Sequence, residues 1–288
     1  MRIHKFIADC GICSRRAAEV LVRNGKVIVN NKPATIGMDI DPENDRITCE
    51  GKRIYIKSAE KQYFMFYKPR GVITAMKAQD DRKVLAELIK GIKGRVYPVG
   101  RLDRDSEGML ILTDDGELAV RLMHPRHHIS KTYRVTISGD VSDELLEKMR
   151  TGISLDDGVT TLPAEVYIQS QSENKTVLHI TLYEGKNRQI RRMCEELNLE
   201  ILLLKRICIS DVMLGHLSPG EYRPLTIKEK TKLLEAVGLK TPDLKKPSTK
   251  TNAIFSKVKM LSHNQFKNNK TSTKSIHEKR FLKQFKDK

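Results

Sequence analysis

Two polar segments of the chain hold the side chains best suited to chemistry. The first, Gly100-Arg101-Leu102-Asp103-Arg104-Asp105-Ser106-Glu107-Gly108, sets a carboxylate between guanidiniums just ahead of an apolar run. A neighbouring cation favours the ionised carboxyl and lowers its pKa below the usual ~3.9, which would leave Asp103 ready as a nucleophile or a base. The same spacing also fits a surface turn with local ion pairs. A two-metal reading would recruit Asp105, Asp114 and Asp115. Against it, Asp114-Asp115-Gly116 is explained as a turn, and no His- or Glu-rich ligand set accompanies these residues. No metal is expected.

The second segment is Gly185-Lys186-Asn187-Arg188-Gln189-Ile190-Arg191-Arg192-Met193, which opens a helix after a strand. Arg188, Arg191 and Arg192 fall at i, i+3 and i+4, on one side of that helix. Ile190, Met193, Cys194 and Leu197 fill the opposite arc and should face the core. Three guanidiniums at the positive end of a helix dipole cost stability unless an anion offsets them. That anion is either a phosphate or a catalytic carboxylate.

Two further clusters carry less. His124-Pro125-Arg126-His127-His128 reads as a mobile loop touching solvent or nucleic acid rather than a metal site. Cys10-Gly11-Ile12-Cys13 has CxxC spacing but no second ligand pair, so small buried or half-buried thiols explain it. Five cysteines at irregular spacing fit a reducing compartment, and the expected location is the cytoplasm.

Three regions must position these groups. Residues 1–60 read as a small α/β module. Ser14 caps a helix from Arg15 to Asn24, and strands follow at residues 26–30, 46–49 and 52–56. Arg15, Arg16, Glu19 and Arg23 share one arc of that helix, with Ala17, Val20 and Leu21 on the opposite arc. Together with Lys26, the arginines make either a solvated face or a phosphate-contacting surface. Residues 61–238 form a larger α+β unit, with strands at 63–67, 109–113, 132–137 and 176–182. Strands and helices do not alternate strictly, so a mixed, largely antiparallel sheet flanked by helices is expected. Residues 239–288, rich in Lys, Asn, Ser and Thr, read as a disordered basic tail.

The charge follows this division. The 288 residues carry 53 basic and 36 acidic side chains, net +17. Residues 240–288 contribute 14 basic and 3 acidic of these, and the first 32 residues 7 and 2. A surplus so placed points to an anionic partner, and nothing apolar is long enough to span a membrane. The tail is either a nonspecific RNA-gripping arm or a solubilising extension.

Taken in order, Gly100–Asp103 with Asp105–Gly108, Lys131-Thr132-Tyr133, and Gly185–Met193 resemble the three signature segments of the RsuA/RluB-type ribosomal-RNA pseudouridine synthases. Phe66-Tyr67-Lys68-Pro69-Arg70-Gly71 and Leu122-Met123-His124-Pro125 add to the agreement. Ser14-Arg15-Arg16-Ala17 and Gly25–Asn30 are similar to the S4 RNA-binding domain that precedes the catalytic domain in that family. The resemblance covers about residues 1–238 and leaves the tail without a counterpart. It implies isomerisation of a uridine within RNA, with no external cofactor. By it, Asp103 would be the essential aspartate, Tyr133 the ring that stacks on the base, and Arg191 the basic partner of the aspartate. Arg101 would fill the space the flipped base leaves, while Arg15, Arg16, Arg23, Lys26, Arg188 and Arg192 would contact RNA. The members acting on large-subunit (23S) rRNA match best. A small-subunit (16S) enzyme, or a noncatalytic S4-type assembly factor, is the alternative. A monomer is expected.

Overall fold

The computed structural model describes residues 1–56, 60–77 and 81–241. Apart from its first three residues, the tail expected from residue 239 lies outside the described residues.

The N-terminal module packs two helices, α1 (Ile3–Asp9) and α2 (Arg15–Arg23), on a small antiparallel sheet. Its strands β1 (Val27–Val29), β2 (Lys32–Pro33), β3 (Ile47–Cys49) and β4 (Lys52–Arg53) run in the order β2-β1-β3-β4. Ser14 caps α2, its Oγ accepting from Ala17 N at 3.2 Å, which meets one of the donors a helix start leaves open. The buried arc of α2 is Ala18 and Val22, whereas Val20 is 47% exposed. The apolar arc is therefore rotated from the one read off the sequence, because α1 packs beside α2 and covers that flank. Arg15, Arg16 and Arg23 all remain exposed, as does Lys26 beyond the helix. The last strand is shorter than expected: pairing stops at Arg53, and Tyr55 points to solvent.

The larger unit continues with β5 (Tyr63–Lys68), α3 (Leu85–Leu88), β6 (Tyr97–Val99), β7 (Glu107–Thr113), α4 (Gly116–Met123), β8 (Lys131–Ser138) and α5 (Asp143–Thr151). Then come β9 (Glu165–Ser172), β10 (Lys175–Leu182), α6 (Gln189–Glu196), β11 (Ile201–Ile209), β12 (Val212–Met213), β13 (Tyr222–Pro224) and α7 (Ile227–Ala236). Nine strands form one sheet along the path β13-β5-β7-β11-β8-β10-β9, with β6 on β7 and β12 on β11. Every pairing is antiparallel except β7 with β11. β7 is buried from Gly108 to Thr113, which is why its sequence, Gly-Met-Leu-Ile-Leu-Thr, is a nearly continuous apolar run. One core cluster lies around β8 and β10, where Ile137 and Leu178 meet Leu146 of α5 and Met193 of α6. Another lies around β7, where Met109 and Ile111 meet Leu118 and Leu122 of α4 and Leu233 of α7.

This topology makes an opening in the sheet. β5 occupies one edge of β7 along its whole length, pairing Tyr63 with Thr113 and Lys68 with Gly108. The other edge is shared. β6 takes its C-terminal half, from Ile111 to Thr113, and β11 takes Glu107 and Gly108. Between Val99 and Glu107 the chain leaves the sheet, and that excursion carries Asp103.

Candidate active site

The excursion is fixed by the segment that follows β5. Thr74 Oγ1 donates to Leu102 O at 2.7 Å and accepts from Leu102 N at 3.2 Å. Gly71 N donates to Arg104 O at 2.7 Å, and Ser106 N to Asp103 O at 3.1 Å. Beneath them the fully buried Lys68 ammonium donates to Ser106 O at 2.8 Å and Pro69 O at 3.0 Å. Burial lowers its pKa from the usual 10.5 to about 8, although Asp103, Asp105 and Glu107 pull the other way. Backbone carbonyls and Lys68 thus set where Asp103 stands.

Asp103 faces a cation from a distant part of the chain. Arg191 Nε lies 4.0 Å from Asp103 Oδ2, with side-chain exposures of 14% and 36%. Arg191 Nη2 also donates to Asp105 O at 3.1 Å and Ser106 Oγ at 3.3 Å, tying α6 to the Asp103 loop. Arg101 and Arg104, the sequence neighbours first credited with holding the carboxylate, make no ion pair with it among the described residues. Both side chains are exposed, Arg101 on the lining of the cleft described below.

Asp103 lines a cleft of about 700 Å³. Its floor is one face of the sheet. Lys131 and Tyr133 on β8, Leu182 on β10 and Leu204 and Arg206 on β11 all line it. Tyr133 lies opposite Ile180 on β10 and Arg206 on β11, so its ring stands on the floor beside Arg206. At the sides are the Gly185–Ile190 turn and Met123-His124-Pro125. The histidine segment read as a mobile loop is a 3₁₀ turn, Pro125–His127, capped by His124 Nδ1 accepting from Arg126 N at 3.2 Å.

The arginines of the second segment divide. α6 begins at Gln189, so Arg188 is its N-cap, in the left-handed region at φ 47°. It lines the cleft and lies 3.6 Å from Glu195, partly exposed. Arg191 turns to Asp103. Arg192, expected to contact RNA, has its anions within the chain: Nε donates to Asp156 Oδ1 at 2.6 Å, and Nη2 lies 2.8 Å from Asp157 Oδ2. The buried arc is the one expected, with Ile190, Met193 and Cys194 all in the core. Arg101 is exposed on the cleft without an ion pair among the described residues. Arg15, Arg16, Arg23 and Lys26 belong to the N-terminal module and line no part of this cleft.

Three supporting groups have no site role in the residue pattern of the sequence. Lys68 and Thr74 hold the Asp103 loop, and Glu184 holds the turn before α6. Glu184 accepts from Gln189 Nε2 at 2.7 Å, Leu162 N at 2.9 Å and Lys186 Nζ at 2.5 Å. Only Lys68 had a visible signal, a charge closing the apolar run Tyr63–Tyr67. Among the described residues no three or more His, Cys, Asp or Glu side chains are grouped to hold a metal.

Comparison with known proteins identifies the family. Residues 62–196 match the RNA pseudouridylate synthase family model, and residues 1–47 match the S4 domain model. An RNA pseudouridine synthase of Aquifex aeolicus is 40% identical over 83% of this chain and 96% of its own length. The chain belongs to the RNA pseudouridine synthase family. Within the family, the ribosomal large subunit pseudouridine synthase B of Bacillus subtilis is 43% identical over 81% of this chain and 95% of its own. A crystal structure of a pseudouridylate synthase superposes with a TM-score of 0.58 at 33% identity, covering 81% of this chain and 99% of that one. As a pseudouridine synthase with an S4 domain, the protein is an isomerase acting on RNA.

Proposed function

We propose that the protein isomerises a uridine of ribosomal RNA, within the large subunit, using Asp103 as its reacting carboxylate. The observation that carries the reading is the pairing of Asp103 with Arg191 over a floor that presents Tyr133. Cleaving the N1–C1′ bond needs a carboxylate close to the ribose, either to attack C1′ or to take the C2′ proton. Arg191 faces Asp103 and orients it. The detached uracil must be held while it turns to offer C5 to C1′, and the flat face of Tyr133 suits that task. The target base must leave its stack to enter the cleft, with Arg101 and Arg188 at the mouth to meet the displaced strand. The large-subunit assignment rests on the 43% identity to the B. subtilis enzyme of that name.

The test is Asp103→Asn in the full chain. RNA binding should stay within about threefold of the wild type, with pseudouridine formation on 23S rRNA lost. Pseudouridine mapping of rRNA from cells with and without the gene should show one large-subunit position disappearing. A missing small-subunit position would reassign the substrate, and normal rates in the Asn variant would remove Asp103 from its role.

A further inference from the structure

The floor of the cleft holds a cationic pair that the catalytic reading above leaves without a task. Arg206 is 3% exposed. Its Nε donates to Met109 O at 2.8 Å, but Nη2 is buried with no hydrogen-bond partner. Lys131 stands on the neighbouring strand, two residues before Tyr133 and so on the same face. Its ammonium donates to Ile129 O at 3.0 Å. Burial lowers its pKa, and Arg206 lowers it further, with no carboxylate opposing. Neither residue makes an ion pair among the described residues. Two cations, Arg206 buried and Lys131 half-buried, share one wall, and Arg206 keeps a donor unmet. Such an arrangement calls for an anionic or strongly accepting ligand.

The position selects the ligand. A polynucleotide continues on both sides of a flipped residue, so its phosphates stay near the mouth, where Arg101 and Arg188 are exposed. What reaches the floor is the base, beside Tyr133. When the C1′–N1 bond breaks, its electron pair stays on the base, and the charge spreads over N1, O2 and O4. This holds whether Asp103 has bonded to C1′ or has taken the C2′ proton to leave a C1′=C2′ double bond. The base then forms the C5–C1′ bond, loses the C5 proton and takes a proton at N1; in the first route C5 displaces the Asp103 oxygen from C1′, which breaks that bond and frees the carboxylate. In the second route the C2′ proton returns, so nothing is gained or lost overall. Only the interval between the two bonds carries a base anion.

We propose that Arg206, with Lys131 beside it, stabilises the detached uracil anion, Nη2 donating to a carbonyl oxygen of the base. The donor is fixed before the reaction and its bond strengthens as the charge develops, so it lowers the barrier more than it tightens substrate binding. The inference rests on the cleft being the reaction site with Asp103 as its carboxylate.

The experiment uses the full chain and 23S rRNA transcripts made with uridine or with 5-fluorouridine. Fluorine makes the departing base a more stable anion and so lessens its need for a cation. Single-turnover loss of the original nucleoside is followed by mass spectrometry, and affinity by filter binding. Arg206→Gln should slow turnover on the uridine transcript by about 100-fold or more, while affinity changes less than about threefold. Arg206→Lys should recover at least about tenfold of that loss. The deficit should shrink at least about fivefold on the fluorinated transcript. Lys131→Met should show a smaller deficit with the same dependence on the base, and it carries the test if Arg206→Gln does not fold. An affinity loss matching the rate loss would assign the pair to a backbone phosphate and overturn the proposal. So would a deficit equal on both transcripts, which would mark Arg206 as a structural residue. Wild-type turnover in Arg206→Gln beside an inactive Asp103→Asn would sink this inference alone, and an active Asp103→Asn would sink the reading beneath it.

Discussion

At the scale of single residues, the site depends on a buried ammonium whose charge burial penalises. Lys68 titrates near 8 in the folded protein against the usual 10.5, burial outweighing Asp103, Asp105 and Glu107. Between those values the native state has shed a proton that the unfolded chain still binds. Stability should therefore rise with pH across this window, relative to a chain lacking the group. Urea unfolding of wild type and Lys68→Met at pH 7 and pH 10 isolates the contribution, since all other groups titrate alike in both. The wild type should gain about 2–3 kcal/mol on the variant over that interval. A constant difference would mean that Lys68 keeps an ordinary pKa. The residue scale is also where the sequence was most legible. Asp103, Tyr133 and Arg191, named from motif and resemblance, come close together: Asp103 and Arg191 as a pair, and Tyr133 on the floor of the cleft that Asp103 lines. What spacing misled was the choice of neighbour. Arg101 and Arg104 adjoin Asp103 in sequence, yet the nearest cation comes from 88 positions away. A loop backbone decides where adjacent side chains point, and a polar loop carries no periodicity from which to read it.

At the scale of elements, the cleft exists because β6 and β11 divide one edge of β7, and the division is set where β7 meets β11. Gly108, at φ +106°, makes that meeting close: a Cβ there would lie 2.2 Å from Arg206 O and 2.8 Å from Arg206 N. Both atoms are backbone, so the strands themselves would have to part. Gly108→Ala should cost more than about 2 kcal/mol through this contact and its backbone conformation together. It should also slow single turnover, because the displaced strand carries Arg206 and the displaced turn carries Ser106 toward or away from Arg191. Thermal unfolding with a rate measurement at a permissive temperature checks both, and an unchanged melting temperature would contradict the strand contact. Buried strands such as β7 were legible as apolar runs, and α2 was legible through Ser14. The α6 arc that buries Ile190, Met193 and Cys194 was legible through its spacing. The parallel pairing of β7 with β11 was not, since it joins segments about 98 residues apart. Pairing partners are chosen by tertiary contact, and a strand's own residues record only which of its faces is buried. Arg192 illustrates the same limit. Its place on the helix was read correctly, but the anions it meets, Asp156 and Asp157, belong to a turn with no local link to α6.

At the scale of the whole molecule, the charge and the chemistry occupy different parts of the chain. The catalytic unit from residue 61 to 239 is nearly neutral at +3, whereas residues 240–288 carry +11 and the first 32 residues +5. Gathering RNA is thereby separable from converting it. On the N-terminal module, Arg15 and Arg16 stand exposed at the start of α2. Replacing both with Ala should raise KM several-fold while leaving kcat on saturating rRNA within about twofold, the pattern of lost binding that does not change between ground and transition states. A fall in kcat at constant KM would remove α2 from substrate capture. For the tail the argument is electrostatic. Each cation that neutralises an RNA phosphate releases a condensed counterion, so log affinity falls with log salt by roughly 0.7 per contact on single strands and 0.9 on duplex. Deleting residues 240–288 should therefore shallow that slope by a few units, and lower affinity at low salt far more than at high salt. Single-turnover rates at saturating RNA should be unchanged, since Asp103, Tyr133, Arg191 and Arg206 all precede the deletion. Measuring affinity and turnover across a salt series for the two chain lengths separates the outcomes. An unchanged slope would show that the tail's 14 cations do not touch the RNA and serve solubility, while a lower saturating rate would show that the tail acts on the reaction and not only on capture.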